Sequence, residues 1–123
     1  MIFGRSRALS VYVHVAPADM RKSFNTLAAL VVAELKQAPL SGDLFLFVGK
    51  DRKRAKILYF DGTGLCVLAK RLEGGHFMAP WQTGEGELTM TVAELALFFE
   101  GSRLEGRLPL SPKPLEQKPV VEM

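Results

Sequence analysis

Cysteine, histidine and long apolar runs are all scarce in this chain. Its 123 residues include one cysteine and two histidines. A single thiol excludes an internal disulfide framework and is typical of a reducing compartment. The amino-terminal stretch MIFGRSRALS is interrupted by two arginines, so it lacks the apolar core of a secretory signal, and no apolar run approaches the length of a membrane span. These features predict a cytoplasmic protein without a membrane segment.

Clusters of chemistry-bearing side chains are scarce as well. Metal-dependent DNA cleavage or strand transfer needs several carboxylates around two metal ions. Of the aspartates, Asp19, Asp43 and Asp61 have structural interpretations at a helix start, a strand entry and a turn. The two histidines have no metal-ligand spacing with each other or with Cys66. The sequence therefore predicts no catalytic site, no metal and no cofactor.

Charge is present in quantity but is unevenly distributed. The net charge is only +3. Residues 1–25 carry four cations and one anion, and residues 49–56 (GKDRKRAK) carry five cations and one anion. Residues 84–100 carry four glutamates and no cation. This pattern predicts a basic front and an acidic back, a distribution that steers an anionic partner to one face.

Alternating apolar residues and turn signals predict several strands. LSVYVHV at residues 9–15 reads as a strand, and three further strands are separated by connections too short for a crossover helix. These three cover Leu44–Val48, Ala55–Phe60 and Leu65–Leu72. Phe77–Trp81 is a candidate edge strand that Pro80 weakens. Short connections favour an antiparallel meander, which we expect to contain about four strands.

Two helices complete the predicted α+β fold. The longer one extends from Asp19, where the helix dipole favours an anion, to Pro39. The shorter one covers Thr91–Glu100 and opens with a capping box formed by Thr91 and Glu94. Both faces of the strand LFLFV are apolar, so the sheet is either covered on both sides or carries a docking surface, and the second helix is a candidate cover.

The composition changes near the carboxyl end. Four of the seven prolines lie between Pro109 and Pro119, among lysines and glutamates. Such a segment is typical of a disordered or flexible tether. We predict a single domain over residues 1–106 and a proline-rich flexible tail over residues 107–123.

The basic loop GKDRKRAK has two interpretations. At the tip of a hairpin its cations extend into solvent and can lie along a phosphate backbone, with each contact adding salt-dependent affinity. Alternatively, the charges keep the flanking apolar strands from aggregating. Two further cation pairs, Arg21-Lys22 and Lys70-Arg71, favour nucleic-acid contact if the fold brings them to the same side.

Several motifs resemble one protein family. DMRK-x-F, KILYFDG-x-GLC and AKRLE-x-G-x-F-x-x-P occur here in order over residues 9–100, and the chain is similar to the TnpB-type accessory protein of the bacterial insertion-sequence family numbered sixty-six. The resemblance implies a component of a mobile element that assists a separate, larger transposase. It also implies cations at Arg21, Lys22, Lys56, Lys70 and Arg71, framed by Asp19, Asp61 and Gly62.

The leading hypothesis is a non-catalytic accessory factor in DNA transposition that contacts DNA, or a transposase–DNA complex, through a basic surface. The residues predicted to form that surface are Arg21, Lys22, Lys50, Arg52, Lys53, Arg54, Lys56, Lys70 and Arg71. The expected partners are DNA and the transposase of the same element, and an oligomer is compatible with the sequence. The alternative is an adaptor that binds the transposase without touching DNA. A nuclease that uses Asp19 or Asp61 is the third hypothesis.

Overall fold

The computed structural model of the chain describes residues 8–101. The predicted flexible tail and the domain end at residue 106 lie outside the described residues. The strands in this range are β1 (Val11–Val13), β2 (Leu44–Val48), β3 (Arg54–Phe60), β4 (Leu65–Arg71) and β5 (Leu88–Met90). The α-helices are α1 (Phe24–Leu30) and α2 (Val92–Phe99). None of the helices in the described part is long and apolar enough to cross a membrane.

The sheet is mixed, which corrects the prediction of an antiparallel four-stranded meander. Its strand order is β4-β3-β2-β1-β5. Strands β2, β3 and β4 do form the predicted meander, but β1 is parallel to β2 and β5 is antiparallel to β1. Residues 14–43, which connect β1 to β2 and contain α1, are long enough for the crossover that parallel strands require. The short connections of the meander carried no information about this pairing.

The prediction that Phe77–Trp81 forms an edge strand is also wrong. Pro80–Gln82 forms a single 3₁₀ turn, and the segment before it is extended without pairing as a strand. Phe77 is buried, and its ring stacks on Phe98 of α2 with 5.6 Å between centroids. Burial against the helix therefore places this segment beneath α2. Within the described residues, β5 forms one edge of the sheet and β4 forms the other.

Helix α1 is shorter than predicted because Asp19 closes a turn of its own. The Asp19 carboxylate accepts the backbone N–H of Arg21 at 2.9 Å, and the Asp19 carbonyl accepts that of Lys22 at 3.0 Å. The helix begins only after Ser23. One π-helical turn, Val31–Leu35, follows it and ends at Lys36, whose φ of 57° is left-handed.

Two apolar layers lie on opposite faces of the sheet. Phe45, Phe47 and Leu58 pack against α1 and the π-helical turn, and we call this the α1 face. The alternate residues of the same strands, with Phe77, pack against α2 on the α2 face. This confirms that α2 covers one side of the sheet. Helix α2 also has the predicted capping box, since Thr91 Oγ1 accepts the Glu94 N–H at 3.1 Å.

Candidate nucleic-acid interface

The predicted cations meet at one end of the sheet. Because β1 is parallel to β2, the chain leaving β1 and the loop leaving β2 emerge side by side, and the Ala18 N–H donates to the Val48 carbonyl at 2.9 Å. The last residue of β4, Arg71, pairs in register with Arg54, the first residue of β3. We call this region the basic end. It comprises Arg21, Lys22, Lys50, Arg52, Lys53, Arg54, Lys56, Lys70 and Arg71.

Strand alternation divides the basic end between the two faces. Arg54, Lys56 and Arg71 follow the same alternation as Leu58 and therefore lie on the α1 face. Lys70 lies on the α2 face, where its ammonium group sits 5.6 Å from the centre of the Phe99 ring. Lys70 is thus separated from its neighbour Arg71 by the thickness of the sheet, although both are at the same end.

A shallow groove lies between the cations of the α1 face. Its volume is about 220 Å³. The lining residues are Met20, Arg54, Ala55, Lys56, Ala69, Lys70 and Arg71. Guanidinium and ammonium groups at the rim can bind phosphate oxygens, and the apolar part of the lining can contact a sugar or a base. The groove thus matches the chemistry of a nucleic-acid backbone.

Backbone hydrogen bonds hold the loop that carries the central cations. Arg52 has a left-handed φ of 59°, and its N–H donates to the Gly49 carbonyl at 2.9 Å. The Arg52 carbonyl accepts the Phe77 N–H at 2.7 Å, and Asp51 Oδ1 accepts the Lys53 N–H at 2.9 Å. The loop is therefore anchored both within itself and to the segment beneath α2, so its backbone is fixed. Lys53 Nζ also donates a hydrogen bond to the Gly75 carbonyl at 3.3 Å.

The first cation group is anchored to the sheet by a lysine. Lys56 Nζ donates a hydrogen bond to the Lys22 carbonyl at 2.6 Å. Met20, between Asp19 and Lys22, is buried against the same face. The turn that carries Arg21 and Lys22 is consequently held against β3, next to the basic loop.

Three of the arginines form ion pairs with nearby carboxylates. Arg21 pairs with Asp19 at 2.8 Å. Arg54 pairs with Asp51 at 3.1 Å, and Arg71 pairs with Glu73 at 3.2 Å. The hydrogen bond from Arg21 holds the pKa of Asp19 well below its usual range, and the bond from the Lys53 N–H lowers the pKa of Asp51.

These pairs are exposed to solvent, so each contributes little to stability and is screened by salt. A phosphate can therefore compete for the same guanidinium groups. Within residues 8–101, the remaining six cations of the basic end have no carboxylate within ion-pair distance.

The first part of the acidic segment, residues 84–89, enters the sheet at the opposite edge, whereas its carboxyl end comes to the basic end, where the Phe99 ring lies against Lys70. Glu85 and Glu87 precede β5, whereas the basic loop joins β2 to β3 and the last cations lie on β4. Four interstrand steps separate β5 from β4, which corresponds to roughly 19 Å. Glu94 is engaged at the start of α2, where it accepts the Thr91 N–H at 2.8 Å.

The other chemistry-bearing residues have structural roles. His14 is buried, and its ring nitrogens lie 2.8 Å from the Ala16 carbonyl and 2.6 Å from Glu34 Oε1. Desolvation raises the pKa of the Cys66 thiol, which disfavours the nucleophilic thiolate. The Asp61 carboxylate accepts backbone hydrogen bonds within a turn, as the Asp19 carboxylate does. Among the described residues no three histidine, cysteine or acidic side chains are grouped for metal binding.

Sequence reasoning missed four residues of this region. Met20, Ala55 and Ala69 line the groove, and Glu73 pairs with Arg71. The spacing of Glu73 two residues after Arg71 was an available signal, since residues i and i+2 of an extended chain share a face. Nothing in the sequence identified Met20, because its position depends on the parallel pairing of β1.

Comparison with known proteins identifies relatives over most of the chain. The family model TnpB_IS66, described as IS66 Orf2 like protein, matches residues 9–107. The uncharacterized protein y4jC of Sinorhizobium fredii is 37% identical over 100 residues, which is 81% of this chain and 85% of the relative. The uncharacterized protein y4hO of the same organism is 36% identical over 91 residues, which is 74% of this chain and 78% of the relative. No solved structure matches the chain. The chain therefore belongs to the IS66 Orf2-like family, whose description points to an insertion-sequence protein.

Proposed function

We propose that this protein is a non-catalytic accessory factor that assists transposition of its insertion sequence by binding DNA through the basic end. It works in the cytoplasm together with the transposase of the same element. The observation that supports this most is the meeting of cations from three distant chain segments at one end of the sheet. Family membership supplies the association with an insertion sequence.

Backbone contact is the mode of binding that the geometry favours. The six cations that have no ion pair within residues 8–101, and the three arginines in weak pairs, present their charges from a sheet end fixed by hydrogen bonds. Each phosphate that they neutralise releases counterions, which makes binding strongly dependent on salt. These contacts position the protein on DNA without reading its sequence.

The test is binding to duplex DNA from the element's end, measured by fluorescence anisotropy across a salt series. We expect the double variant Lys22→Gln/Lys50→Gln to lower affinity about tenfold and to reduce the slope of log K against log salt by about two, because two phosphate contacts are lost. The two lysines come from different chain segments, so the variant probes their joint action.

The matched control is Lys36→Gln, since Lys36 is the one described cation outside the basic end. Lys36 lies beside β1 and β5, near Glu34 and Glu87. The Lys36→Gln variant should leave both the affinity for DNA and the salt slope unchanged. Two outcomes would contradict DNA binding at the basic end: a wild-type affinity that does not depend on salt, or equal losses of affinity in the control and in the double variant.

The second candidate function is an adaptor that binds the transposase without touching DNA. The in-chain ion pairs of Arg21, Arg54 and Arg71 favour it, because they neutralise part of the charge. In a pull-down with the transposase, an adaptor would retain its partner after nuclease treatment and in the Lys22→Gln/Lys50→Gln variant. Loss of the partner on either treatment would exclude this alternative.

A further inference from the structure

The two edges of the sheet differ in how they are protected. Strand β5 is three residues long and follows Glu85 and Glu87, and short, charged edges resist pairing with other chains. Strand β4 is seven residues long, and its first five residues, LCVLA, have no charge and no proline. No other strand of residues 8–101 pairs with its outer side. An edge of this kind is a template for strand pairing.

Flanking hydrogen bonds establish which backbone groups of β4 point outward. The Asp61 N–H donates to the Gly64 carbonyl at 3.1 Å, and the Leu72 N–H donates to the Lys53 carbonyl at 2.7 Å. Hydrogen-bonded pairs alternate along an antiparallel ladder, so the even-numbered residues of β4 bond to β3. The residues whose N–H and C=O groups face outward are then Leu65, Val67, Ala69 and Arg71.

This edge is complementary to itself when the pairing is centred on Leu68. In that antiparallel register Leu65 faces Arg71 of a second copy, and Val67 faces Ala69, so all outward-facing groups pair and about eight hydrogen bonds form. The two Leu68 side chains become direct neighbours at the two-fold axis. Leu68 is 49% exposed in the single chain, which is unusual for a leucine in the middle of a strand.

The same register avoids charge repulsion. Lys70 faces Cys66 of the second copy and Arg71 faces Leu65, so no two cations oppose each other. Shifting the centre to Lys70 would place the two ammonium groups side by side, which is destabilising across strands. Charge placement and hydrogen-bond pattern thus select one alignment.

We propose that β4 pairs antiparallel with β4 of a second copy of this chain, centred on Leu68, to form a continuous ten-stranded sheet. The partner is a second copy of this chain because β4 is complementary to itself in this register, so a strand of another sequence is not needed. The dimer shares Ala69, Lys70 and Arg71 with the lining of the groove. Pairing uses the backbone groups at the outer edge of β4, and the side chains of Lys56 and Arg71 stay on the α1 face.

Cysteine cross-linking tests the register directly. In a Cys66→Ser background, Leu68→Cys places two thiols in a non-hydrogen-bonded pair with Cα atoms about 4.5 Å apart, within disulfide reach. The matched control Ala69→Cys places them about 8 Å apart, beyond that reach. We expect Leu68→Cys to form a disulfide-linked dimer at least about tenfold faster than Ala69→Cys.

Sedimentation of the full chain supplies the second measurement. Wild type should show a concentration-dependent dimer, and Leu68→Lys, which adds charge at an exposed position, should remain monomeric with an unchanged circular dichroism spectrum. A wild-type monomer at every concentration would overturn the proposal. Equal cross-linking of the two cysteine variants, or a Leu68→Lys protein that still dimerises, would overturn it as well.

Discussion

At the scale of single residues, Asp61 shows how one side chain fixes the turn that places β4. Its Oδ1 accepts the Thr63 N–H at 2.9 Å and the Gly64 N–H at 3.0 Å. These bonds, the Thr63 bond first, lower the pKa of Asp61 to about 2. Gly62 supplies the positive φ of 108° that the turn requires.

The depressed pKa of Asp61 predicts acid sensitivity. A carboxyl group whose pKa falls from 3.8 to about 2 on folding stabilises the native state fully above pH 3.8, and this contribution disappears as the pH falls toward 2. We therefore expect the free energy of unfolding of wild type to decline more steeply than that of Asp61→Asn in this window.

Urea unfolding at a series of pH values measures that difference. Asp61→Asn keeps an oxygen that can accept the turn hydrogen bonds but removes the titrating charge. The control Glu85→Gln removes an exposed carboxylate that closes no turn. The free energy of unfolding of this variant should change with pH in parallel with that of wild type. Parallel curves for Asp61→Asn and wild type would contradict the role given to the carboxylate.

Single residues were predictable from sequence where the signal was local. The Asp61-Gly62 turn followed from residue preferences alone, and the capping box at Thr91 followed from its spacing to Glu94. Asp19 was misassigned to a helix start because its turn depends on a hydrogen bond to Arg21, which competes with helix formation.

At the scale of elements, the close approach of the Asp19–Lys22 turn to the β2–β3 loop determines where the first cation group lies. A Cβ at Gly49 would stand 2.7 Å from Met20 Cγ, so only glycine allows this packing. We expect Gly49→Ala to cost about 1–3 kcal/mol of unfolding free energy, because Met20 must leave its buried position.

Thermal or urea unfolding checks this cost against a matched glycine. Gly64→Ala adds the same methyl group where no atom lies within 4 Å, and it should change stability little. A Gly49→Ala protein as stable as Gly64→Ala would show that the turn does not pack tightly on the loop.

Elements were predictable where pairing was local. The meander β2–β3–β4 followed from short connections, and the two apolar layers followed from alternation in LFLFV. The parallel pairing of β1 required a long-range contact that periodicity does not encode. The Phe77–Trp81 segment was read as a strand because aromatic residues are common in strands, whereas burial beneath α2 determined its shape.

At the scale of the whole molecule, the topology of the sheet gathers cations at one end although the net charge is modest. A net charge of +3 would by itself attract an anionic partner only weakly. The parallel β1 brings the Arg21-Lys22 turn to the basic loop, and the antiparallel β4 brings Arg71 there as well. The cations in the sequence predicted one basic surface, but the contacts that bring them to one end of the sheet are long-range and are not encoded in local pattern. Alternation explains why Lys70 lies on the other face from Arg71.

The most direct test of DNA binding at the basic end is a map of backbone amide chemical shifts as duplex DNA is added to the isotope-labelled full chain. DNA binding at the basic end predicts that the largest shifts fall on residues 20–22, 50–56 and 69–71, and that they diminish together as salt is raised. An absence of shifts at excess DNA, or shifts centred on the acidic residues 84–89, would contradict it.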